Sequence, residues 1–160
     1  MNVFESVVQA AEASRTCGDA VKLFTGELEE TGCMIQQRVL RQKEEAARRI
    51  VDLQQIADSA GATDTQRRMA VIELRQLETV TYGPTAAELE AFAEAKARAM
   101  DACRDFYAER EKFRESHKNA VTELSSIKEE ILPERGFRDA YSSRIDRISD
   151  SFDRWTAQFT

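Results

Sequence analysis

One stretch restricts the fold more than any other. From Thr85 to Leu132 a helical pattern runs without a break, which is about 48 residues, or about 72 Å at 1.5 Å per residue. Its start is marked by the turn signal Tyr82-Gly83-Pro84, followed by Thr85 and Glu88 as a capping box of the Thr-x-x-Glu type. Its end is marked by Pro133 and Gly136. In between, Leu89, Phe92, Ala99, Cys103, Phe106, Phe113, Ala120, Leu124, Ile127 and Ile131 recur at helical spacing and form a seam for partner helices.

The rest of the chain reads as shorter helices laid against this one. With 32% charged residues and two prolines in 160 positions, the composition suits a single all-α domain. Residues 2 to 30 carry Phe4, Val7, Val8, Ala11, Val21, Phe24 and Leu28, and residues 34 to 60 carry Ile35, Val39, Ala46, Ile50, Leu53, Ile56 and Ala60. Each internal glycine, Gly18 and Gly26, costs up to about 1 kcal/mol in a helix. Thr31-Gly32-Cys33 is the expected turn between these two segments. Folding back there sets Phe4 near Ala60, Val7 near Ala57, Ala11 near Leu53 and Gly18 near Ala46, which buries both apolar stripes at once. The alternative is one continuous helix from about 2 to 60.

Gly61 ends this part, and Thr63-Asp64 caps a short helix over about 64 to 81 with Met69, Ala70, Ile72, Leu74, Leu77 and Val80. The long helix up to about Cys103 then stands level with the preceding hairpin. The expected fold is therefore an elongated antiparallel bundle over about 2–105, with a coiled-coil-like helical hairpin projecting over about 106–159. The last helix, Phe137 to Phe159, supplies the hairpin's second arm through Phe137, Tyr141, Ile145, Ile148, Phe152, Trp155 and Phe159. Pairing across a tight turn at Pro133 to Gly136 sets Leu124 against Ile145, His117 against Phe152, Phe113 and Arg114 against Trp155, and Phe159 near Arg110. Such a hairpin holds more aromatic surface than two helices can hide from water.

Few residues offer chemistry. The only histidine, His117, is not part of a Glu-x-x-His unit, because residue 114 is Arg, so a di-metal bundle site is not expected. Cys17, Cys33 and Cys103 are scattered and contain no Cys-x-x-Cys, which excludes a zinc knuckle and points to free thiols in a reducing, cytoplasmic setting. In the bundle layout Cys17 and Cys103 stand roughly 20 Å apart, too far for a disulfide. There is no phosphate loop, dinucleotide fingerprint or nucleophile elbow. No enzyme activity and no cofactor are expected.

Charge narrows the partners. The net charge of −6 and the interleaving of acids with bases argue against nucleic acid; even the most basic run, Arg38 to Arg49, contains Glu44 and Glu45. The N-terminus has neither a basic nor an apolar targeting region, and no segment has the roughly 18 apolar residues of a membrane span. The last helix balances Arg138, Arg144, Arg147 and Arg154 with Asp139, Asp146, Asp150 and Asp153, so an anionic lipid surface gains nothing from it. The polar stretch Glu109 to Asn119 is read either as a recognition segment, with Arg110 and Arg114 stacked on Phe159 or Trp155, or as a solvated neck.

Tyr107 and Glu111 spell Tyr-x-x-x-Glu, which resembles the export signal of type VII secretion substrates, themselves small helical proteins. The resemblance implies a secreted effector-like protein. It departs from that family at the turn, where Tyr82-Gly83-Pro84 stands instead of Trp-x-Gly. A third reading is a ligand-sensing bundle, with Gly18, Gly26 and Ala46 leaving room between helices. The favoured expectation is a non-enzymatic scaffold or adaptor that self-associates or docks another helical protein through Phe106, Phe113, Ile145, Ile148, Phe152, Trp155 and Phe159.

Overall fold

The computed structural model describes residues 3–120 and 136–159. Over these residues the chain is all-α, with α1 (Val3–Asp58), α2 (Asp64–Thr79), α3 (Ala86–Ala120) and α4 (Phe137–Ala157). The expected continuation of the long helix, with Leu124, Ile127 and Ile131 on its seam, lies outside the described residues.

Helix α1 corrects the expected fold-back. It is one helix of 56 residues, about 84 Å long, and passes through Thr31-Gly32-Cys33 without a turn. The reason lies in its buried positions: Val7, Ala11, Ser14, Gly18, Val21, Thr25, Leu28, Gly32, Ile35 and Val39 alternate steps of four and three along its first two-thirds. A seam of that period keeps one face turned to a single partner over its whole length. The polar residues near Gly32 stay satisfied inside the helix, since the hydroxyls of Thr25 and Thr31 donate to the carbonyls of Val21 (2.6 Å) and Glu27 (2.7 Å). Gly32 itself faces a neighbour: a Cβ there would lie 3.3 Å from the Phe92 ring and 3.7 Å from that of Phe152.

The expected caps are present. Thr63 and Gln66 exchange side-chain and backbone bonds at the start of α2, and Thr85 and Glu88 do the same at the start of α3. Glu88 also accepts from Nε (2.7 Å) and Nη2 (2.6 Å) of Arg38, whose Nη2 donates to the carbonyl of Gly83 (3.0 Å). One guanidinium thus ties α1 to the α2–α3 linker and to the first turn of α3.

Cross-helix contacts fix the register. Arg49 pairs with Glu73 (2.9 Å), Arg38 with Glu88, and Gly32 lies under Phe92. Helices α2 and α3 therefore follow one another in the same direction, both antiparallel to α1. Four segments do not stand abreast at one level. Helix α4 returns along the middle of this pair. Phe152 stacks on Phe92 with ring centres 3.9 Å apart, Phe137 meets Phe106 at 4.9 Å, and Arg144 of α4 pairs with Glu29 of α1. Among the described residues the middle of the molecule is a three-helix bundle, and each end is a two-helix pair.

The expected pairing of α4 with the far half of α3 is corrected accordingly. Phe152 lies opposite Phe92 instead of His117, a displacement of about seven helical turns. Small residues on the host helices explain the choice. Gly32, Ala99 and Cys103 leave a groove that admits the α4 aromatics, whereas pairing as an isolated hairpin would have left them half wet. Gly136 starts α4 with φ of 86°, a left-handed conformation that glycine adopts without steric cost.

Candidate interaction surfaces

The seven residues expected to form an interface divide into two groups. Phe106, Phe113, Ile145 and Phe152 are buried within the chain itself. Ile148, Trp155 and Phe159 are half-buried along the edges of α4. Phe159 closes the end of α4 on the linker before α3: a Cβ on Gly83 would sit 3.0 Å from its ring, and the Lys43 ammonium stands 4.4 Å from the ring centre on the other helix. Trp155 packs edge-on against Phe159 at 5.0 Å and tilted against Phe152 at 5.7 Å.

The polar stretch of α3 is also placed differently from expectation. Arg110 is buried in the seam at 6% exposure and Arg114 pairs with Glu111 (3.1 Å), while the aromatics they were expected to stack on lie about five to nine turns away along α3, level with Gly83 and Phe92. His117 is half-buried and stacks on Phe113 at 5.6 Å, a packing role. Tyr107, first residue of the Tyr-x-x-x-Glu pattern, lies under the Arg138 guanidinium at 4.4 Å, and Glu111, the last, holds Arg114.

The three thiols are free. Cys103 is in the core and Cys17 packs against the same cluster from α1, so the 20 Å separation falls together with the hairpin it assumed. Burial pushes both thiols up from their ordinary pKa; at Cys17 the carboxylates of Glu109 and Asp105 add to this, and at Cys103 the Arg138 charge opposes it. Neither is an activated nucleophile. Among the described residues no group of three His, Cys, Asp or Glu side chains could hold a metal ion, and no helix is long and apolar enough to cross a membrane.

The unexpected surface is the arm formed by α2 and the end of α1. Arm residues with fully buried side chains are few: Leu53 from α1 and Ala70 from α2. Leu74 and Leu77 are half-buried, yet Met69 (61% exposed), Val71 and Ile72 (51%) face water, with Val51 and Ile56 exposed beside them on α1. A groove of about 800 Å³ runs between the two helices, floored by Leu53, Ile56, Met69 and Ala70 and bridged by the Arg49–Glu73 pair. A second groove of about 410 Å³ lies where α4 meets α1 beside Cys33, Arg144 and Arg147.

Sequence reasoning assigned α2 one amphipathic face. The signal it passed over is the run Met69-Ala70-Val71-Ile72, four consecutive apolar residues that cover every side of a helix at 100° per residue. Compared with known proteins, the chain matches no family model, no curated protein and no solved structure.

Proposed function

We propose that the chain is a non-enzymatic helical scaffold or adaptor that binds protein, either a second copy of itself or another helical protein, through the arm made by α2 and the end of α1. The observation that carries this reading is α2. In its middle turn the run Met69-Ala70-Val71-Ile72 is apolar on every side, yet only Ala70 is buried and Met69, Val71 and Ile72 face water. Sixteen residues are marginal as an independent helix in water, so its stability has to come from packing. The aromatic face first expected to associate is largely occupied by α1 and α3, leaving Ile148, Trp155 and Phe159 as rim residues. The heptad spacing supports a coiled-coil-like pairing of α1 with α3 as the rod that carries the arm. The free thiols support a reducing compartment and hence a cytoplasmic protein.

The test is molar mass by light scattering over a wide concentration range, with Met69→Asp and Ile72→Asp combined as the variant. Both residues are exposed, so folding stability should stay within about 0.5 kcal/mol of wild type. The expected result is a dimer or larger species that reverts to monomer in the variant. A wild-type chain that stays monomeric, and whose α2 amides are protected as well as those of α1, would refute the reading, because α2 would then be satisfied by α1 alone.

A further inference from the structure

The apolar core comes in two pieces. The larger runs from Val21 to Ile35 on α1 and from Phe92 to Phe106 on α3, and is closed by Ile145 and Phe152 of α4. The smaller one lies at the far end of the α1–α3 pair and holds Val7, Ala11, Phe113 and Ala120 among the described residues.

Between the two pieces the seam turns polar. Ser14 is fully buried and Arg110 is 6% exposed. They share a layer, because each lies about five turns along its helix from the Gly32–Phe92 contact, in opposite chain directions. The Ser14 hydroxyl has no hydrogen-bond partner among the described residues. A polar layer that is only partly satisfied is a weak point, since a buried hydroxyl gives up its bonds to water and receives nothing in return. Next to it on α1, Gly18 is buried and contributes no side chain.

We propose that this layer uncouples the two cores, so that the two-helix end made by residues 5–13 and 111–120 opens as a unit while the three-helix middle stays closed. Opening exposes Val7, Ala11, Phe113 and Ala120, an apolar surface hidden in the closed form. Local stability follows the density of buried apolar contacts, and among the described residues the core of this end holds four buried side chains where that of the middle holds eleven. The device is independent of the arm, which lies at the opposite end of α1.

Hydrogen exchange of the full chain, read by mass spectrometry at several low denaturant concentrations, tests it. Amides in 5–13 and 111–120 should exchange together, at least about 100-fold faster than those in 21–35 and 92–106, with one shared denaturant dependence that is smaller than that of the middle but clearly above zero, because opening exposes apolar surface. Joining the cores with Ser14→Ala and Arg110→Leu should slow exchange at that end by about tenfold and leave the middle unchanged. Ser14→Ala alone, which removes only the orphaned hydroxyl, should slow it by a few-fold and serves if the double variant does not fold. Equal protection of end and middle in the wild-type chain overturns the proposal. So does an end whose exchange does not slow in the folded variants, which would assign its opening to simple fraying.

Discussion

Replacing Gly32 by Leu tests the point where three helices meet. A Cβ alone would stand 3.3 Å from Phe92 and 3.7 Å from Phe152, and those rings are stacked at 3.9 Å with 16° between their planes, so neither can retreat without breaking the stack. Overpacking of this kind costs about 1–3 kcal/mol. Displacing α4 adds lost burial of Ile145 and Phe152, each worth about 1.5–3 kcal/mol when fully buried. Leucine regains up to about 1 kcal/mol of helix propensity over glycine. The balance is a loss of about 2 kcal/mol or more, which for a chain of this size lowers Tm by about 4–8 °C. Trp155, the only tryptophan, reports on α4 directly, and its emission should shift to the red as it leaves Phe152. Gly26→Ala is the control, since nothing lies within 4 Å of its Cβ position, and it should stabilise by up to about 1 kcal/mol. A Gly32→Leu protein as stable as wild type, with Trp155 emission unchanged, would refute the packing argument and revive a turn at Gly32, where a side chain would simply point into water.

Three further outcomes follow from the same contacts. Phe152→Ala should cost about 3–5 kcal/mol, as a buried core aromatic does; unchanged stability by urea unfolding would instead place Phe152 on a surface. Arg38 holds the Glu88 carboxyl below its usual pKa through side-chain hydrogen bonds, with burial opposing and the Thr85 backbone assisting. The folded value is thus the lower one, and the contribution is complete above the unfolded value of about 4.3 and lost as pH falls through the folded value. Glu88→Gln keeps the capping box but removes the ion pair, so it should cost about 0.2–1 kcal/mol at pH 7 and flatten the acid-side decline; an unchanged decline would deny the pair its role. Thr63→Ala should cost about 1 kcal/mol and speed exchange in α2 first, whereas a uniform change along the chain would show that the cap does not act locally.

How far the sequence reveals this fold depends on the helix. Both capping boxes and the α3 seam from Phe92 to Phe113 are legible because each rests on residues close in sequence. Helix α1 is not, because the usual turn signal, Gly between Thr and Cys, coincides with a seam position whose meaning is set by Phe92, about sixty residues away. The unbroken four-three spacing from Val7 to Val39 does carry the answer, but only if Ser14, Gly18, Thr25 and Gly32 are counted as seam positions despite lacking apolar side chains. Helix α4 shows the opposite difficulty. Its apolar face is plain in the sequence, and which part of α3 receives it is not, since that depends on where small residues open a groove.

The candidate surface follows from the same limit. Aromatic richness in α4 suggested an exposed interface, but large aromatics are the residues a chain buries first when a groove is available, and Gly32, Ala99 and Cys103 provide one. What remains exposed is set by what the third helix fails to reach. Helix α4 ends at Ala157, and Phe159 beyond it closes on Gly83 beside Lys43, so among the described residues α1 beyond that level and all of α2 receive no third helix. The Met69-Ala70-Val71-Ile72 run sits in that uncovered length. Met69, Val71 and Ile72 gain little there from the fold of the single chain, which makes the arm, rather than the aromatic helix, the place where burial by another protein would release the most water.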